Sequence, residues 1–159
     1  MDIPRIFNIT ESAHRIHNPF TPEKYATLGE ALRLEPGTNV LDLGSGSGEM
    51  LCTWARDYGI IGTGVDMSEL FSKQAKLRAE ELGVADRVEF IHDDAAGYVA
   101  DEKVGVAACI GATWIGGGVA GANELLSESL STKRIIPIGE PYWWPLPPRK
   151  GAGRGCLAH

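Results

Sequence analysis

Short apolar runs alternate with amphipathic stretches along most of this chain. The apolar runs have the length of β-strands and lie at residues 39–43, 60–65, 88–92 and 104–110. Because each run is short and mostly apolar, these runs predict parallel strands that are buried on both faces.

The stretches between these runs predict helices. The first begins after Thr21 as N-cap with Pro22 in its first turn and stops before Pro36-Gly37, and the second spans 49–58. A longer helix follows Ser68 as N-cap and ends at Gly83, and a fourth spans 120–130, before a possible fifth strand at 135–138.

The alternation of strands and helices predicts the fold class. It is typical of an α/β protein with a Rossmann-like, open, mostly parallel sheet and helices on both faces. A length of 159 residues fits one compact domain. We expect that domain at 21–142, preceded by an N-terminal segment at 1–20. A basic tail rich in proline and glycine follows at 143–159, and we expect it to be flexible.

The amino-acid composition limits the classes of molecule that this chain is expected to bind. Twenty-one acidic against 15 basic residues give a net charge of −6, which disfavours nucleic acid and anionic membranes. No stretch approaches the ~20 apolar residues of a membrane span, and the amino end lacks the apolar core of a signal peptide. The three cysteines form no C-x-x-C pair, so neither a metal site nor a disulfide framework is expected. A cytoplasmic location is the simplest interpretation.

The segment 42–49 carries the strongest chemical signal. A strand runs into glycines at alternate positions, Gly44, Gly46 and Gly48, and then into a helix, which is typical of a ligand-binding turn. The dinucleotide fingerprint needs its third glycine one residue later, where this chain has Glu49, whose carboxylate would repel a pyrophosphate. Together with Asp42, that charge favours a ligand with an ammonium and a sulfonium group over NAD.

Acidic residues also end the next two strands. Asp66 follows Gly48 by 18 residues and can bond both hydroxyls of a ribose, although it could instead cap the helix that follows. Asp93 and Asp94 can reach an adenine edge, although plain turn chemistry would also explain them.

In order and spacing, the motifs at 42–48, 65–67 and 93–95 resemble those of class I S-adenosylmethionine-dependent methyltransferases that act on small molecules. The resemblance covers roughly residues 1–142. It implies S-adenosyl-L-methionine as cofactor, with the methionine moiety held by Asp42, Gly44, Ser45, Gly46 and Gly48. It also implies that Asp66 binds the ribose, that Met67, Asp93, Asp94 and Ala95 contact the adenine, and that Gly111 with 112–114 lines the methyl-transfer mouth. Trp114 could equally be ordinary packing.

The resemblance implies methyl transfer to an unidentified small molecule by in-line displacement, in which positioning supplies much of the rate. A general base is needed only if the acceptor loses a proton, and the candidates are His14, His17, Tyr98 and Glu140. None of them is singled out, so the catalytic residue is unknown. The segment 14–20 is a possible lid over the cofactor.

The family pattern breaks near Leu130. Residues 131–134 replace the usual turn, Pro137 lies inside the expected fifth strand, and the last helix and strands of the family have no counterpart. The chain therefore resembles a C-terminally truncated member. Two alternatives to an active methyltransferase remain: a non-catalytic remnant that binds S-adenosylmethionine, and a less favoured NAD-linked oxidoreductase.

Overall fold

A computed structural model describes residues 9 and 11–141 of the chain. The sheet has five strands in the order β3-β2-β1-β4-β5, and a short strand, β6, also pairs with β4. All their pairings are parallel. The strands are β1 (Asn39–Leu43), β2 (Ile61–Asp66), β3 (Val88–His92), β4 (Val104–Ile110), β5 (Leu130–Ile135) and β6 (Ile138–Gly139).

Four helices within the described ranges cover the sheet: α1 (Pro22–Ala31), α2 (Glu49–Tyr58), α3 (Glu69–Glu81) and α4 (Val119–Ser129). Thr21 accepts a hydrogen bond from the Lys24 amide at the start of α1, and Ser68 accepts one from the Phe71 amide at the start of α3. These N-caps match the sequence prediction. Two short 3₁₀ helices, Ala95–Gly97 and Thr113–Gly116, follow β3 and β4.

Alternation along the strands builds a core on each face of the sheet. In β4, Val106 and Ala108 belong to the core packed under α1, α2 and α3, whereas Ala107 and Cys109 belong to the core under α4. Trp54 is almost fully buried in the first core, where its indole N–H donates to the Tyr25 carbonyl at 2.9 Å. The expected Rossmann-like α/β fold with helices on both faces is therefore confirmed.

The segment after α4 differs from the expectation. The predicted helix at 120–130 ends at Ser129, Leu130 already begins β5, and the strand predicted at 135–138 is divided between β5 and β6. Pro137 lies between the two strands, where its carbonyl oxygen accepts a hydrogen bond from the Cys109 amide at 3.1 Å. No backbone donor is needed at this position. Proline lacks a donor, so it fits between strands better than inside one. The basic tail at 143–159 lies outside the described residues.

Candidate functional site

The glycine loop joins β1 to α2 at the carboxyl edge of the sheet. Gly44, Gly46 and Gly48 all have positive φ, between 54° and 78°, a region that other residues rarely adopt. The amides of Gly44 and Ser45 donate to the Val65 carbonyl at the end of β2, at 2.8 and 3.1 Å. The loop is therefore held against the neighbouring strand. A Cβ would meet Ala112 at Gly44 and Phe90 at Gly48, so these two glycines permit close packing around the loop.

Asp66 holds the centre of this loop. Its Oδ2 accepts the Gly46 amide and its Oδ1 accepts the Ser68 amide, both at 2.8 Å. The side chain is buried, which raises its pKa, while the two amide hydrogen bonds act in the opposite direction. Asp66 thus bonds the start of the helix, as the capping alternative expected, and it also lies against the glycine loop. Its role toward a ribose stays a prediction.

Asp42 is the most isolated charge of the site. Its side chain is 4% exposed, and Oδ1 has no hydrogen-bond partner among the residues that the structure describes. Burial, reinforced by the nearby Asp66 carboxylate, raises the pKa of Asp42 to about 7. A buried carboxylate without a donor is costly, so this group has unused capacity to bind a cationic ligand.

Glu49 does not play the role that the sequence argument assigned to it. Its carboxylate accepts hydrogen bonds from Nε and Nη2 of Arg78 at 2.8 and 3.0 Å, which form a bidentate ion pair between α2 and α3. Because Arg78 neutralises it, Glu49 does not present a free charge to a bound phosphate, and that argument against NAD was wrong. The shifted third glycine and Asp42 are unaffected.

Residues at the ends of β2 and β3 form the next part of the edge. Asp93 and Asp94 are exposed, whereas Ala95 is buried and Met67 is partly buried. The Asp94 side chain accepts the Ala96 amide at 2.9 Å and caps the first 3₁₀ helix. The turn chemistry expected as an alternative is thus present, and both carboxylates are exposed where β3 ends, next to β2.

The N-terminal segment crosses the same edge. His17 Nε2 lies 3.0 Å from the Ser47 hydroxyl and 2.9 Å from the His14 carbonyl, while Ser47 also donates to Gln74 Oε1 at 2.7 Å. A Cβ placed on Gly46 would lie 3.2 Å from His17 Nδ1, so the ring sits directly against the loop. Burial lowers the pKa of His17, so its imidazole is neutral near pH 7.

Asn18 anchors this crossing. Its side-chain amide donates to the Ile110 carbonyl at 3.2 Å and to the Tyr25 hydroxyl at 3.1 Å, and its oxygen accepts the Phe20 amide. It lies over Gly111, whose φ is 78°. We call residues 11–20 the strap.

An open cleft of about 580 Å³ lies between the strap and the end of β4. Its walls include His17, Asn18, Gly111, Thr113, Trp114 and Glu140. Of the four candidate bases, His17 and Glu140 line the cleft, whereas His14 pairs with Glu11 on the surface and Tyr98 packs against the core under α4. Trp114 is 56% exposed, so it forms a wall of the cleft and not part of the core.

A parallel sheet in this order, with a glycine loop after β1 and an acid after β2, is Rossmann-like, and the match to a solved methyltransferase identifies it as the class I methyltransferase fold. The family model described as "Methyltransferase domain" matches residues 40–127. The chain belongs to this family, and the resemblance seen in the sequence is confirmed.

Relatives and solved structures give closer comparisons. The chain is 70% identical over 156 residues to the uncharacterized protein YjhP of Escherichia coli strain K12, covering 98% of this chain and 63% of that protein. A Geobacter sulfurreducens S-adenosylmethionine-dependent methyltransferase, solved with S-adenosyl-L-homocysteine, is 78% identical with a TM-score of 0.94, covering 99% of this chain and 63% of that one. The corresponding Thiobacillus denitrificans complex is 75% identical with a TM-score of 0.90, covering 92% and 59%. This chain thus spans less than two thirds of the length of these relatives.

Several contacts of the site were not anticipated from the sequence. Arg78 and Gln74 reach the loop region from α3, and Asn18 reaches β4 from a position 92 residues earlier in the chain. The two α3 residues share the helix face that contains Phe71 and Ala75, which was the available signal. No local pattern indicates the long contact of Asn18.

Proposed function

We propose that this chain is the cofactor-binding part of an S-adenosylmethionine-dependent methyltransferase whose acceptor is a small molecule. The observation that carries the proposal is the Asp42 carboxylate, buried at the start of the glycine loop with one oxygen unpartnered within the described residues. An ammonium group is the natural partner of such a carboxylate. The similarity to two methyltransferases solved with S-adenosyl-L-homocysteine supports the same cofactor here.

The residues at the edge fit this cofactor. Asp42 and the backbone of Gly44, Ser45, Gly46 and Gly48 would hold the methionine moiety. Asp66 would hold the ribose, and adenine would be held by Met67, Asp93, Asp94 and Ala95. Gly111 would line the methyl-transfer mouth, where it borders the cleft. When bound, the cofactor supplies a methyl group on a positively charged sulfur.

The chain contributes position and a screened environment. Asp66 fixes the loop through the Gly46 amide, so the loop backbone is preorganised before any ligand binds. The strap covers the loop with the neutral ring of His17, which excludes water without adding a positive charge near a sulfonium. We infer that the strap is a lid, which must move aside for the cofactor to enter.

The alternatives are less well supported. A non-catalytic remnant would need no open cleft beside the cofactor edge, yet one lies there. An NAD-linked oxidoreductase does not agree with the methyltransferase family match. No helix in the described part of the chain is long and apolar enough to cross a membrane. A cytoplasmic location stays a prediction, as does the absence of nucleic acid from the acceptors.

Calorimetric titration with S-adenosylmethionine tests the proposal. At pH 8, where Asp42 is ionised, we expect binding by the wild-type chain and about 10- to 100-fold weaker binding by Asp42→Asn, because a charge-assisted contact of ~1.5–3 kcal/mol is lost. Asp86→Asn is the matched control, since it removes the same charge from an exposed position before the amino end of β3. Absence of binding by the folded wild-type chain, or equal losses in both variants, would refute the proposal.

A further inference from the structure

The cleft beside the strap adjoins the cofactor loop directly. His17 contributes to both, because its ring lies against Gly46 and Ser47 and also forms a wall of the cleft. Gly111 lies at the same boundary, under Asn18. A molecule in the cleft would therefore lie beside the position proposed for the cofactor, which is where a methyl acceptor must bind.

Among the described residues that line the cleft, one carries a charge. Glu140 is the one ionised side chain among the described residues that line it, since the buried His17 is neutral near pH 7. Lys24 is close to the rim, but its ammonium donates to the Pro19 carbonyl at 3.1 Å and Lys24 is not a lining residue. Among the lining residues that the structure describes there is thus no cationic group to receive a phosphate or carboxylate.

Glu140 and Trp114 both line the cleft, and Thr113 of the second 3₁₀ helix connects them along the chain. Glu140 Oε1 accepts the Thr113 amide at 2.9 Å, which fixes the carboxylate against the residue that precedes Trp114. The exposed indole offers an aromatic face, and a carboxylate beside an aromatic face is a combination that recognises organic cations.

We propose that the cleft binds an acceptor with a basic amine nitrogen, recognised by the Glu140 carboxylate and the Trp114 ring, and that the reaction is N-methylation. This inference rests on the proposed function and adds the chemical class of the acceptor. It predicts that cationic acceptors are preferred over neutral ones, and neutral over anionic ones.

The chemistry of the step balances. The amine enters as an ammonium ion and releases one proton to water through the open mouth of the cleft, which restores its lone pair. The lone pair then forms the bond between nitrogen and the methyl carbon, while the bond between that carbon and the sulfonium sulfur breaks and its electrons return to sulfur. The product nitrogen becomes positively charged, and Glu140 faces this charge.

A series of ligands with one ring and different charges tests the preference. Benzylamine, benzyl alcohol and benzoate are titrated calorimetrically into the chain saturated with S-adenosyl-L-homocysteine, so that no turnover occurs. We expect benzylamine to bind about tenfold more tightly than benzoate, with benzyl alcohol between them, as the sum of one exposed ion pair and one cation–π contact. Methyl transfer from S-adenosylmethionine to benzylamine is then followed as formation of S-adenosyl-L-homocysteine.

Two variants assign the preference to these side chains. Glu140→Gln should remove most of the difference between benzylamine and benzoate. Trp114→Leu should weaken benzylamine most, because only benzylamine carries a cation that the ring face can bind. Glu35→Gln, an exposed change before β1, should leave the series unchanged. Retained affinity of Glu140→Gln for S-adenosyl-L-homocysteine would show that the variant is folded and the cofactor site intact.

The outcomes separate the two proposals. If S-adenosyl-L-homocysteine fails to bind the wild-type chain, the proposed function itself fails. If it binds but benzylamine does not, or if all three ligands bind equally well, the amine assignment is overturned while the cofactor site stands. A preference that survives Glu140→Gln would also overturn it.

Discussion

Replacing Asp42 by asparagine is expected to stabilise the cofactor-free protein while it weakens cofactor binding. In the folded chain the pKa of Asp42 is about 7, against an ordinary value of 3.8, because the carboxyl is buried near Asp66. The folded state therefore binds the proton more tightly than the unfolded state does. The contribution of Asp42 to stability is most favourable below pH 3.8, declines as the pH rises to about 7, and is constant above that.

The size of the effect on stability follows from the difference between the two pKa values of Asp42, 3.8 and about 7. At about 1.4 kcal/mol for each pKa unit, ionised Asp42 costs the folded protein about 4 kcal/mol at pH 8 relative to a neutral carboxyl. Asparagine has nearly the same shape and no charge, so Asp42→Asn should recover up to that amount at pH 8 and little at pH 4. Cofactor affinity of the wild type should strengthen as the pH rises through 7, and the variant should lose this dependence.

Urea unfolding of both chains at pH 5 and pH 8 measures the effect. The variant should be more stable at pH 8, and its advantage should shrink at pH 5, while Asp86→Asn should show no such pattern. A variant that is less stable than the wild type at pH 8, or an advantage independent of pH, would refute the assignment of Asp42 as an unpartnered buried acid. A stabilised variant with undiminished affinity for S-adenosylmethionine would refute its role toward the cofactor.

Three further predictions concern packing, charge and pH. A Cβ on Gly121 would lie 1.9 Å from the Gly116 carbonyl oxygen, so Gly121→Ala should lower the free energy of unfolding by about 1–3 kcal/mol. Gly97→Ala is the control, because a Cβ there meets open space. Equal urea midpoints for the two variants would contradict the prediction. Arg78→Met should cost about 3 kcal/mol because Glu49 loses its bidentate partner, and adding Glu49→Gln should restore most of it. Since burial lowers the pKa of His17 below 6.5, protonation opposes closure of the strap. Calorimetric affinity for S-adenosyl-L-homocysteine should therefore weaken below pH 6.5 in the wild type but less in His17→Gln, and parallel pH profiles would exclude this coupling.

The parts of the fold that follow from local pattern were predictable. The bounds of β1, β3, β4 and α2 agree with the sequence prediction, because a short, mostly apolar run and a helix between glycines each leave a clear pattern. The expectation that every strand is buried on both faces was wrong for β3, where Glu89 and His92 are exposed because this strand lies at the end of the strand order. The region after α4 was not predictable in this way. There Leu130 continues the apolar face of the helix, yet it pairs with Val104 as the first residue of β5.

In the candidate site, too, some features follow from local sequence and others depend on distant residues. Acids at strand ends were predictable, since the carboxyl ends of parallel strands share one edge of the sheet. The environment of each acid was not, because it depends on residues far away in the chain. Glu49 is neutralised by Arg78, 29 positions later, whereas Asp42 has an unpartnered oxygen within the described residues. Two carboxylates that look alike in the sequence therefore have opposite electrostatic roles.

The strap contacts both the position proposed for the cofactor and the cleft proposed for the acceptor. Its His17 lies on the glycine loop, and its Asn18 binds the Ile110 carbonyl at the end of β4, so one short segment closes over the cofactor edge and forms a wall of the cleft. Lifting the strap for cofactor entry would break the contacts of both residues and remove that wall. Under the proposed lid function, the cleft has this wall only when the strap has closed again. We therefore expect the cofactor to bind before the amine, and the methylated amine to leave before S-adenosyl-L-homocysteine.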